Sequence, residues 1–284
     1  MSFMRDDLVF SMHKEEILKG ERFEFGANWA GFLCLLDDDR IREAERSLCD
    51  NLRLNDLKGK TFLDAGSGSG LFSLAARRLG AIVHSFDFDP LSVACVRELR
   101  QRYYPDDPEW TVEEGSVLDQ DYINQLGKFD IVYSWGVLHH TGQMWKALGN
   151  VGPLVKPCGR LFIAIYNDQG RASHWWKAVK RIYCSGMLGR ISMKLVFYPY
   201  FGLGRAMLDI SLLRNPVTRY REYKNDRGMS VWHDVVDWIG GYPFEVAKPE
   251  EIFDFFRKKD FSMIHLKTCA GGLGCNEFVF IRGL

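Results

Sequence analysis

Short apolar runs alternate with amphipathic segments between residues 60 and 167, and this alternation constrains the fold of the 284-residue chain more than any other feature. The apolar runs are KTFLDAG, AIVHSFDFD, WTVEEG, FDIVYSW and GRLFIAIYN. Strands that alternate with helices form a parallel sheet covered by helices on both faces. The pattern resumes at residue 249 with a helix, KPEEIFDFFRKK, and two strands, FSMIHLKTC and NEFVFIR. The sequence therefore predicts an α/β domain.

Two other segments lack this alternation. Residues 1–58 are predicted to be helical, because apolar residues recur there at three- and four-residue spacing. These residues are Ile41, Ala44, Leu48 and Leu52. Residues 168–248 interrupt the alternating pattern. We therefore expect three parts: a helical N-terminal segment (1–58), an α/β domain (59–167 and 249–284) and an inserted segment (168–248).

The loops that follow the predicted strands carry the candidate ligand-binding residues, since ligands bind at the carboxyl ends of the strands in open parallel sheets. After the first strand comes Asp64-Ala-Gly66-Ser67-Gly68-Ser69-Gly70, whose glycines let the backbone approach a ligand closely. Leu71 stands where the dinucleotide fingerprint needs its third glycine, which disfavours a pyrophosphate site. The second strand ends in Asp87, where a carboxylate can accept both hydroxyls of a ribose.

With these motifs the chain resembles the class I S-adenosylmethionine-dependent methyltransferases, in the branch that contains the ubiquinone-biosynthesis O-methyltransferases. The matching stretches follow the family's order and are FLDAGSGSGLFSLAA, VHSFDFDP, EEGSVLD, FDIVYSWGVLHH and LVKPCGRLFIAIYN. The helix and two strands at 249–282 fit the end of the family's domain. The resemblance implies a Rossmann-like, doubly wound and mostly parallel sheet with an antiparallel final strand. With it we expect residues 59–167 and 249–284 to form the S-adenosylmethionine-binding catalytic domain, residues 1–58 a helical N-terminal lid, and residues 168–248 an inserted substrate-recognition cap.

The resemblance also implies S-adenosylmethionine as cofactor, with S-adenosylhomocysteine as product, and it assigns the residues that hold it. Asp64 and the glycine-rich loop are expected to bind the methionine part of the cofactor. Asp87 is expected to bind the ribose, and Phe88 to contact the adenine. The loop residues are Gly66, Ser67, Gly68 and Gly70. Ser116 and Val117 are expected at the adenine edge, and Ser134 and Trp135 beneath the sulfonium.

Three positions leave alternatives or depart from the family. Many relatives have Asp where Ser116 stands, so Asp119 is an alternative contact for the adenine amino group. Trp29, with Phe25 and Asn28, is expected to form a lid over the cofactor, and ordinary aromatic packing is the alternative. Cys158 replaces a usual glycine before the fifth strand, and we expect this replacement to be structurally neutral.

Histidines are the candidate bases, because methyl transfer needs a base only when the acceptor arrives protonated and imidazole titrates near neutrality. His140 follows the fourth strand at the ligand edge, and the alternative is that it only shapes the pocket. His233 and Asp237 are four residues apart in a predicted helix, where the carboxylate can orient the imidazole. An exposed pair on a packed helix is the alternative there. Some quinone-pathway relatives carry an acidic residue at the position of His139, with a divalent metal nearby; this chain lacks that carboxylate, so no metal is predicted.

The inserted segment is basic and aromatic. Residues 171–227 hold 12 Lys and Arg against three acidic residues, a net charge of +9, whereas the whole chain has 37 basic and 37 acidic residues. A basic aromatic cap suits an anionic, partly apolar acceptor or an anionic membrane surface that it contacts peripherally. A solvated basic face around an apolar helical hairpin is the alternative.

Three functions follow from these features. The leading one is methyl transfer to an oxygen or nitrogen of a small-molecule, lipid-linked or sugar-linked acceptor. An RNA methyltransferase, whose cap would hold phosphates and bases, is the second. Nucleic acid is nevertheless disfavoured as a partner, because the chain has no Asn/Asp-Pro-Pro-Tyr motif after the fourth strand. A non-catalytic S-adenosylmethionine-binding protein is the third.

The cysteines and the N-terminus indicate the compartment. Seven cysteines without paired C-x-x-C spacing predict free thiols in a reducing cytoplasm. Acidic residues stand near the N-terminus where a signal peptide would have an apolar run. No run of about 20 apolar residues is present, so no transmembrane helix is expected. The sequence leaves the oligomeric state open.

Overall fold

Seven strands form one sheet in the computed structural model, which describes residues 11, 13–211, 231–272 and 274–284. They are β1 Thr61–Ala65, β2 Ile82–Asp87, β3 Trp110–Glu114, β4 Phe129–Trp135, β5 Val155–Tyr166, β6 Phe261–Lys267 and β7 Cys275–Arg282. Their order across the sheet is β3-β2-β1-β4-β5-β7-β6. Neighbouring strands from β3 to β5 are parallel, and β7 is antiparallel to both β5 and β6. The predicted sheet, mostly parallel with an antiparallel final strand, is confirmed.

Helices connect and flank the strands. They are α1 Phe25–Leu33, α2 Asp38–Leu52, α3 Leu71–Arg78, α4 Pro90–Tyr103, α5 Gln120–Gln125, α6 Met144–Val151, α7 Arg171–Cys184, α8 Met187–Ser211, α9 Val231–Gly240 and α10 Pro249–Arg257. Residues 13–18 are also helical. None of the helices in the described part of the chain is long and apolar enough to cross a membrane.

Each face of the sheet is buried under its own set of helices, because successive residues of a strand point to opposite faces. On one face α5, α6 and α10 pack over strand residues such as Leu63, Val132 and Ile163. On the other face α1 to α4 pack over Phe62 and Phe162, among others. This double cover makes the fold doubly wound, as predicted.

Two helix starts follow from their capping residues. The Asp37 carboxylate accepts a hydrogen bond from the backbone N–H of Arg40 at the start of α2. The apolar stripe predicted for this helix is buried. Asp89 accepts one from the N–H of Leu91 at 2.9 Å, with Pro90 in the first turn of α4. An N-cap carboxylate satisfies backbone donors that the first turn of a helix leaves without partners.

Strand β5 begins earlier than the predicted run GRLFIAIYN, and it begins irregularly. Its register with β4 shifts between Phe129 and Ile131, and Cys158 adopts a φ of 59° in this part. The left-handed region costs a non-glycine residue about 1–2 kcal/mol, which glycine avoids. The expectation that Cys158 is structurally neutral is therefore wrong.

The inserted segment has its own small core beside the N-terminal segment. Aromatic and aliphatic side chains of α7, α8 and α9 pack there with Phe23 and Phe244. The largest of these side chains is Trp176, which is buried between Phe197 and Trp238. The insertion is thus anchored to the N-terminal segment through Phe23, and Phe244, which follows α9, completes this core.

Candidate active site

A cavity of about 1140 Å³ opens at the carboxyl ends of β1, β2 and β4, where the sequence predicted ligand binding. Residues of the N-terminal segment and Trp238 of the insertion also line it. Most of the predicted cofactor residues line it: Trp29, Asp64, Gly66, Ser67, Gly68, Asp87, Phe88, Ser116, Val117 and Trp135. Their individual roles stay predictions.

The glycine-rich loop is fixed against the neighbouring strand. The backbone N–H groups of Gly66 and Ser67 both donate to the carbonyl of Phe86, at 2.9 and 3.1 Å. Gly66 has a φ of 83°, and a Cβ added to it would lie 2.3 Å from a methyl of Val137. Only glycine meets both conditions, so the loop stays thin where it lines the cavity.

Asp87 lies at the end of β2 with both carboxylate oxygens already ordered. One accepts from the N–H of Gly68 and the other from the N–H of Asp89, each at 2.9 Å. Burial raises the pKa of Asp87 to about 6. Each oxygen retains a lone pair after accepting one bond, so the carboxylate can still accept hydroxyl groups from a ligand.

Asp64 ends a chain of buried hydrogen bonds that the sequence did not predict. The indole N–H of Trp110 donates to Ser85 Oγ at 2.9 Å, the two serine oxygens of Ser85 and Ser73 are 2.7 Å apart, and Ser73 Oγ donates to Asp64 at 2.5 Å. Because the one hydroxyl hydrogen of Ser73 goes to Asp64, Ser85 donates to Ser73, and every bond in this chain points toward the carboxylate. Burial raises the pKa of Asp64 to about 7, and the hydroxyl of Ser73 opposes that rise.

The N-terminal segment covers the loop and Phe88. The Nε1 atom of Trp29 lies 3.0 Å from where a Cβ on Gly68 would stand, so its indole lies on the glycine-rich loop. The guanidinium of Arg22 stacks 4.8 Å from the ring of Phe88, and the ring of His13 meets Phe88 edge-on at 5.5 Å. Neither Arg22 nor His13 was predicted, because both lie in a part of the sequence without a motif.

Asp89 connects the N-terminal segment to the end of β2. Its carboxylate accepts from the N–H of Gly26 at 2.6 Å and lies 3.5 Å from His13 Nε2, in addition to capping α4. A Cβ on Gly26 would lie 2.5 Å from the Cβ of Leu91. Glycine at position 26 therefore allows α1 to approach α4 more closely than a residue with a side chain would.

Gly70, Ser134 and Asn28 are the predicted cofactor and lid residues that do not line the cavity. Gly70 caps α3 with a φ of 80°. Ser134 is fully buried and donates its hydroxyl to the carbonyl of Ala65 at 2.7 Å, which ties β4 to β1.

Phe25 does line the cavity, and its ring lies 4.9 Å from that of His140. Asp119 lines it as well, while its carboxylate caps α5.

His140 also lines the cavity, and its proton is located by its surroundings. Its Nδ1 lies 2.6 Å from the carbonyl of Pro243, which only accepts, so Nδ1 carries the hydrogen and Nε2 is an acceptor. Burial, followed by the charge of Lys180, lowers the pKa of His140 to about 3. The imidazole is therefore neutral at physiological pH. The prediction that it acts as a base stays a prediction.

The buried cation near His140 comes from the insertion. Lys180 on α7 has no exposed surface, donates to the carbonyl of Trp238, and lies over the rings of Tyr166, Trp238 and Phe244. Tyr166 and Trp238 in turn line the cavity. His233 and Asp237 fall on α9, as the predicted helix requires, but their side chains lie outside the described residues.

Glu277 is a further cavity residue that the sequence analysis did not single out. The residue is 5 % exposed and directly precedes the apolar run FVFI of β7. A charged residue next to this run was the available signal.

The comparisons with known proteins agree with this architecture. The profile of the family described as "Methyltransferase domain" matches residues 39–191, more than half of the chain. The ubiquinone biosynthesis O-methyltransferase of Escherichia coli O139:H28 is 32% identical over 129 residues, which are 45% of this chain and 50% of that protein. The chain thus aligns with about half the length of the curated relatives it matches.

Solved structures with little sequence identity share the fold. Magnesium protoporphyrin IX methyltransferase from Synechocystis PCC 6803, with bound S-adenosylhomocysteine, superposes with a TM-score of 0.50 at 14% identity, covering 86% of this chain and 83% of that one. The 1,6-didemethyltoxoflavin-N1-methyltransferase of Burkholderia thailandensis gives 0.50 at 14% identity, covering 96% and 90%. The predicted methyltransferase class and its cofactor, S-adenosylmethionine, are confirmed at the level of the family. The chain belongs to the methyltransferase-domain family.

Proposed function

We propose that this chain transfers a methyl group from S-adenosylmethionine to an oxygen or nitrogen of a small-molecule, lipid-linked or sugar-linked acceptor. The observation that carries the proposal is the convergence of Asp64, the glycine-rich loop and Asp87 on one cavity at the carboxyl ends of β1 and β2. The relatives named above methylate small molecules according to their names, which supports an acceptor of that size.

The residues present fit the cofactor. Asp87 offers acceptors for the ribose hydroxyls, and the glycine-rich loop lines the cavity beside it. Asp64, when ionised, attracts the ammonium of the methionine part, while Phe88 offers an aromatic ring to the adenine. Bound S-adenosylmethionine would supply a sulfonium methyl group open to attack by an acceptor lone pair in line with the carbon–sulfur bond, and S-adenosylhomocysteine would be the leaving group. Holding the acceptor in that line is the main task of the cavity walls, since orientation contributes on the order of 7–11 kcal/mol in favourable systems.

His140 contributes to the acceptor side as a neutral hydrogen-bond acceptor, because Nδ1 is engaged by Pro243 and the ring does not hold a second proton at neutral pH. His233 and Asp237 remain the proposed residues of the insertion. No metal takes part in the proposal.

Residues 168–248 act as the substrate-recognition cap and residues 1–58 as the lid over the catalytic domain. The proposed cap carries an exposed apolar stripe on α8 at three- and four-residue spacing: Leu188, Ile191 and Leu195, at 82%, 48% and 71% exposure. Together with the basic residues of the segment, this stripe supports peripheral contact with an anionic membrane from the cytoplasmic side, where a lipid-linked acceptor would be met.

The test has a binding step and a transfer step. Calorimetry of the purified chain with S-adenosylmethionine should give binding that Asp87→Ala abolishes and Asp50→Ala, an exposed change on α2, leaves intact. Incubation with methyl-labelled S-adenosylmethionine and fractionated cell extract should then label a lipid or small-molecule fraction.

Two other results would contradict the proposal. Label that enters RNA, with salt-sensitive RNA binding by the protein, would favour the RNA methyltransferase. Binding of S-adenosylmethionine without label in any fraction would favour the non-catalytic alternative.

A further inference from the structure

Glu277 is a buried carboxylate whose hydrogen bonding is incomplete. It is 5% exposed, and no described residue gives a hydrogen bond to its Oε2 atom. Lys267 stands directly across from it on β6, yet this described lysine does not donate a hydrogen bond to Oε2. A buried charged group without a partner is costly, since a buried acceptor left unsatisfied costs about 1–3 kcal/mol or more.

Glu277 is among the residues that line the cavity, although its Oε2 atom is itself enclosed by protein. Strand β7 runs antiparallel to β5, so its first residues lie at the edge where the parallel strands end. Glu277 pairs with Ala164, two residues before the end of β5. Glu277 therefore stands at the edge of the sheet where a ligand in the cavity can donate to its carboxyl group.

The sheet register places Glu277 on the same face as the proposed methionine-binding residues. Trp135 pairs with Ala164, which pairs with Glu277, and residues directly opposite on neighbouring strands point to one face. With strands about 4.8 Å apart, the Cα atoms of Trp135 and Glu277 are about 10 Å apart across this row. Asp64 lies on the same face, one strand beyond β4. Trp135 thus stands between the proposed methionine site and Glu277.

We propose that Glu277 is the catalytic residue that binds the acceptor and takes its proton; this inference rests on the proposed function. As the acceptor's oxygen or nitrogen forms its new bond to the methyl carbon from a lone pair, the carbon–sulfur bond breaks and its electron pair goes to sulfur. The acceptor's own proton moves to the Glu277 carboxylate. The acceptor class is therefore a hydroxyl, phenol or amine that carries hydrogen on the reacting atom.

A change that keeps size but removes basicity tests the assignment. The probes are methyl-labelled S-adenosylmethionine and the extract fraction that the unaltered protein labels. Glu277→Gln should lower the rate at saturating fraction about 100-fold, the lower end of the range for a positioned base. The fraction needed for half-maximal rate should change little, because the amide oxygen still accepts a hydrogen bond. Glu250→Gln, an exposed change on α10, should leave the rate unchanged.

Stability and cofactor binding separate this role from a structural one. Glu277→Leu removes a buried charge without a partner, so the ligand-free variant should unfold at the same or a higher temperature. Both Glu277 variants should bind S-adenosylmethionine within about twofold of the unaltered protein. A Glu277→Gln variant with near-normal rate, or a rate loss matched by lower unfolding temperature and weaker cofactor binding, would overturn the inference. Failure of the unaltered protein to bind S-adenosylmethionine would instead overturn the proposed function.

Discussion

At the scale of single residues, the two carboxylates of the proposed cofactor site differ in how their charge is maintained. Asp87 accepts two backbone N–H groups, whereas Asp64 depends on a hydroxyl at the end of the Trp110–Ser85–Ser73 chain. Burial raises both pKa values, to about 6 for Asp87 and about 7 for Asp64. In the ligand-free protein, Asp64 therefore gains a proton as the pH falls through 7.

This titration predicts a pH dependence of cofactor binding. Asp64 must lose its proton to attract an ammonium, so S-adenosylmethionine should bind about tenfold more weakly at pH 6 than at pH 8. Ser73→Ala removes the hydroxyl that favours the ionised form, so the weakening should begin about one pH unit higher. Ser92→Ala, another buried serine, which does not line the cavity, is the matched control. Calorimetry over this pH range measures the affinity for S-adenosylmethionine of each variant. Equal pH profiles for Ser73→Ala and the unaltered protein would contradict the proposed role of the Trp110–Ser85–Ser73 hydrogen bonds.

At the scale of elements, one side chain joins three separate pieces of structure. Asp89 caps α4, accepts from the N–H of Gly26 at the start of α1, and lies beside His13 in the preceding helical segment. The covering of the cavity by the N-terminal segment therefore depends on contacts at the end of β2. It does not depend on the intrinsic stability of the segment, since short helices are marginal by themselves.

Two substitutions at this position separate its roles. Asp89→Ser retains an N-cap for α4 but is too short for the other contacts, so it should speed hydrogen exchange over residues 13–26 with little loss of stability. Asp89→Ala should add the loss of the cap, about 1 kcal/mol of the unfolding free energy. Hydrogen–deuterium exchange and denaturant unfolding measure these effects, and unchanged exchange over 13–26 in both variants would refute the anchoring role.

At the scale of the whole molecule, the neutral total charge conceals an uneven distribution. The +9 of residues 171–227 is balanced by −9 over the remainder of the chain. The described part of this segment also holds many of the exposed large apolar side chains of the protein, on α7 and α8. Apolar side chains beside basic ones favour an anionic interface over bulk water.

The surface predicts selective vesicle binding. The protein should float with vesicles that contain phosphatidylglycerol and less with pure phosphatidylcholine vesicles, and added salt should weaken the binding. The double change Leu188→Glu and Leu195→Glu should reduce binding at least about tenfold, because it puts two charges in the apolar stripe. Leu35→Glu, at an exposed leucine outside the insertion, is the control. Equal binding to both vesicle types, or no effect of the double change, would exclude this contact.

The sequence by itself determined the sheet, the order of its first five strands along the chain, and the edge at which ligands should bind. Strand and helix periodicity are local properties, and parallel topology brings the loops after the strands to a common edge. Asp64, Gly66 and Asp87 could be found for this reason: each directly follows or ends a strand. The cap of α4 at Asp89 was equally predictable, because an N-cap acts within one turn of helix.

Only the tertiary structure decided which side chains use that edge. Ser134 is next to Trp135 in sequence, yet its hydroxyl is used by Ala65 on the neighbouring strand and does not reach the cavity. Ser73 and Trp110 are joined to Asp64 through contacts between separate elements, and Glu277 meets the cavity only because β7 returns antiparallel beside β5. Hydrogen-bond partners distant in the chain are set by packing, which leaves no periodic trace in the sequence.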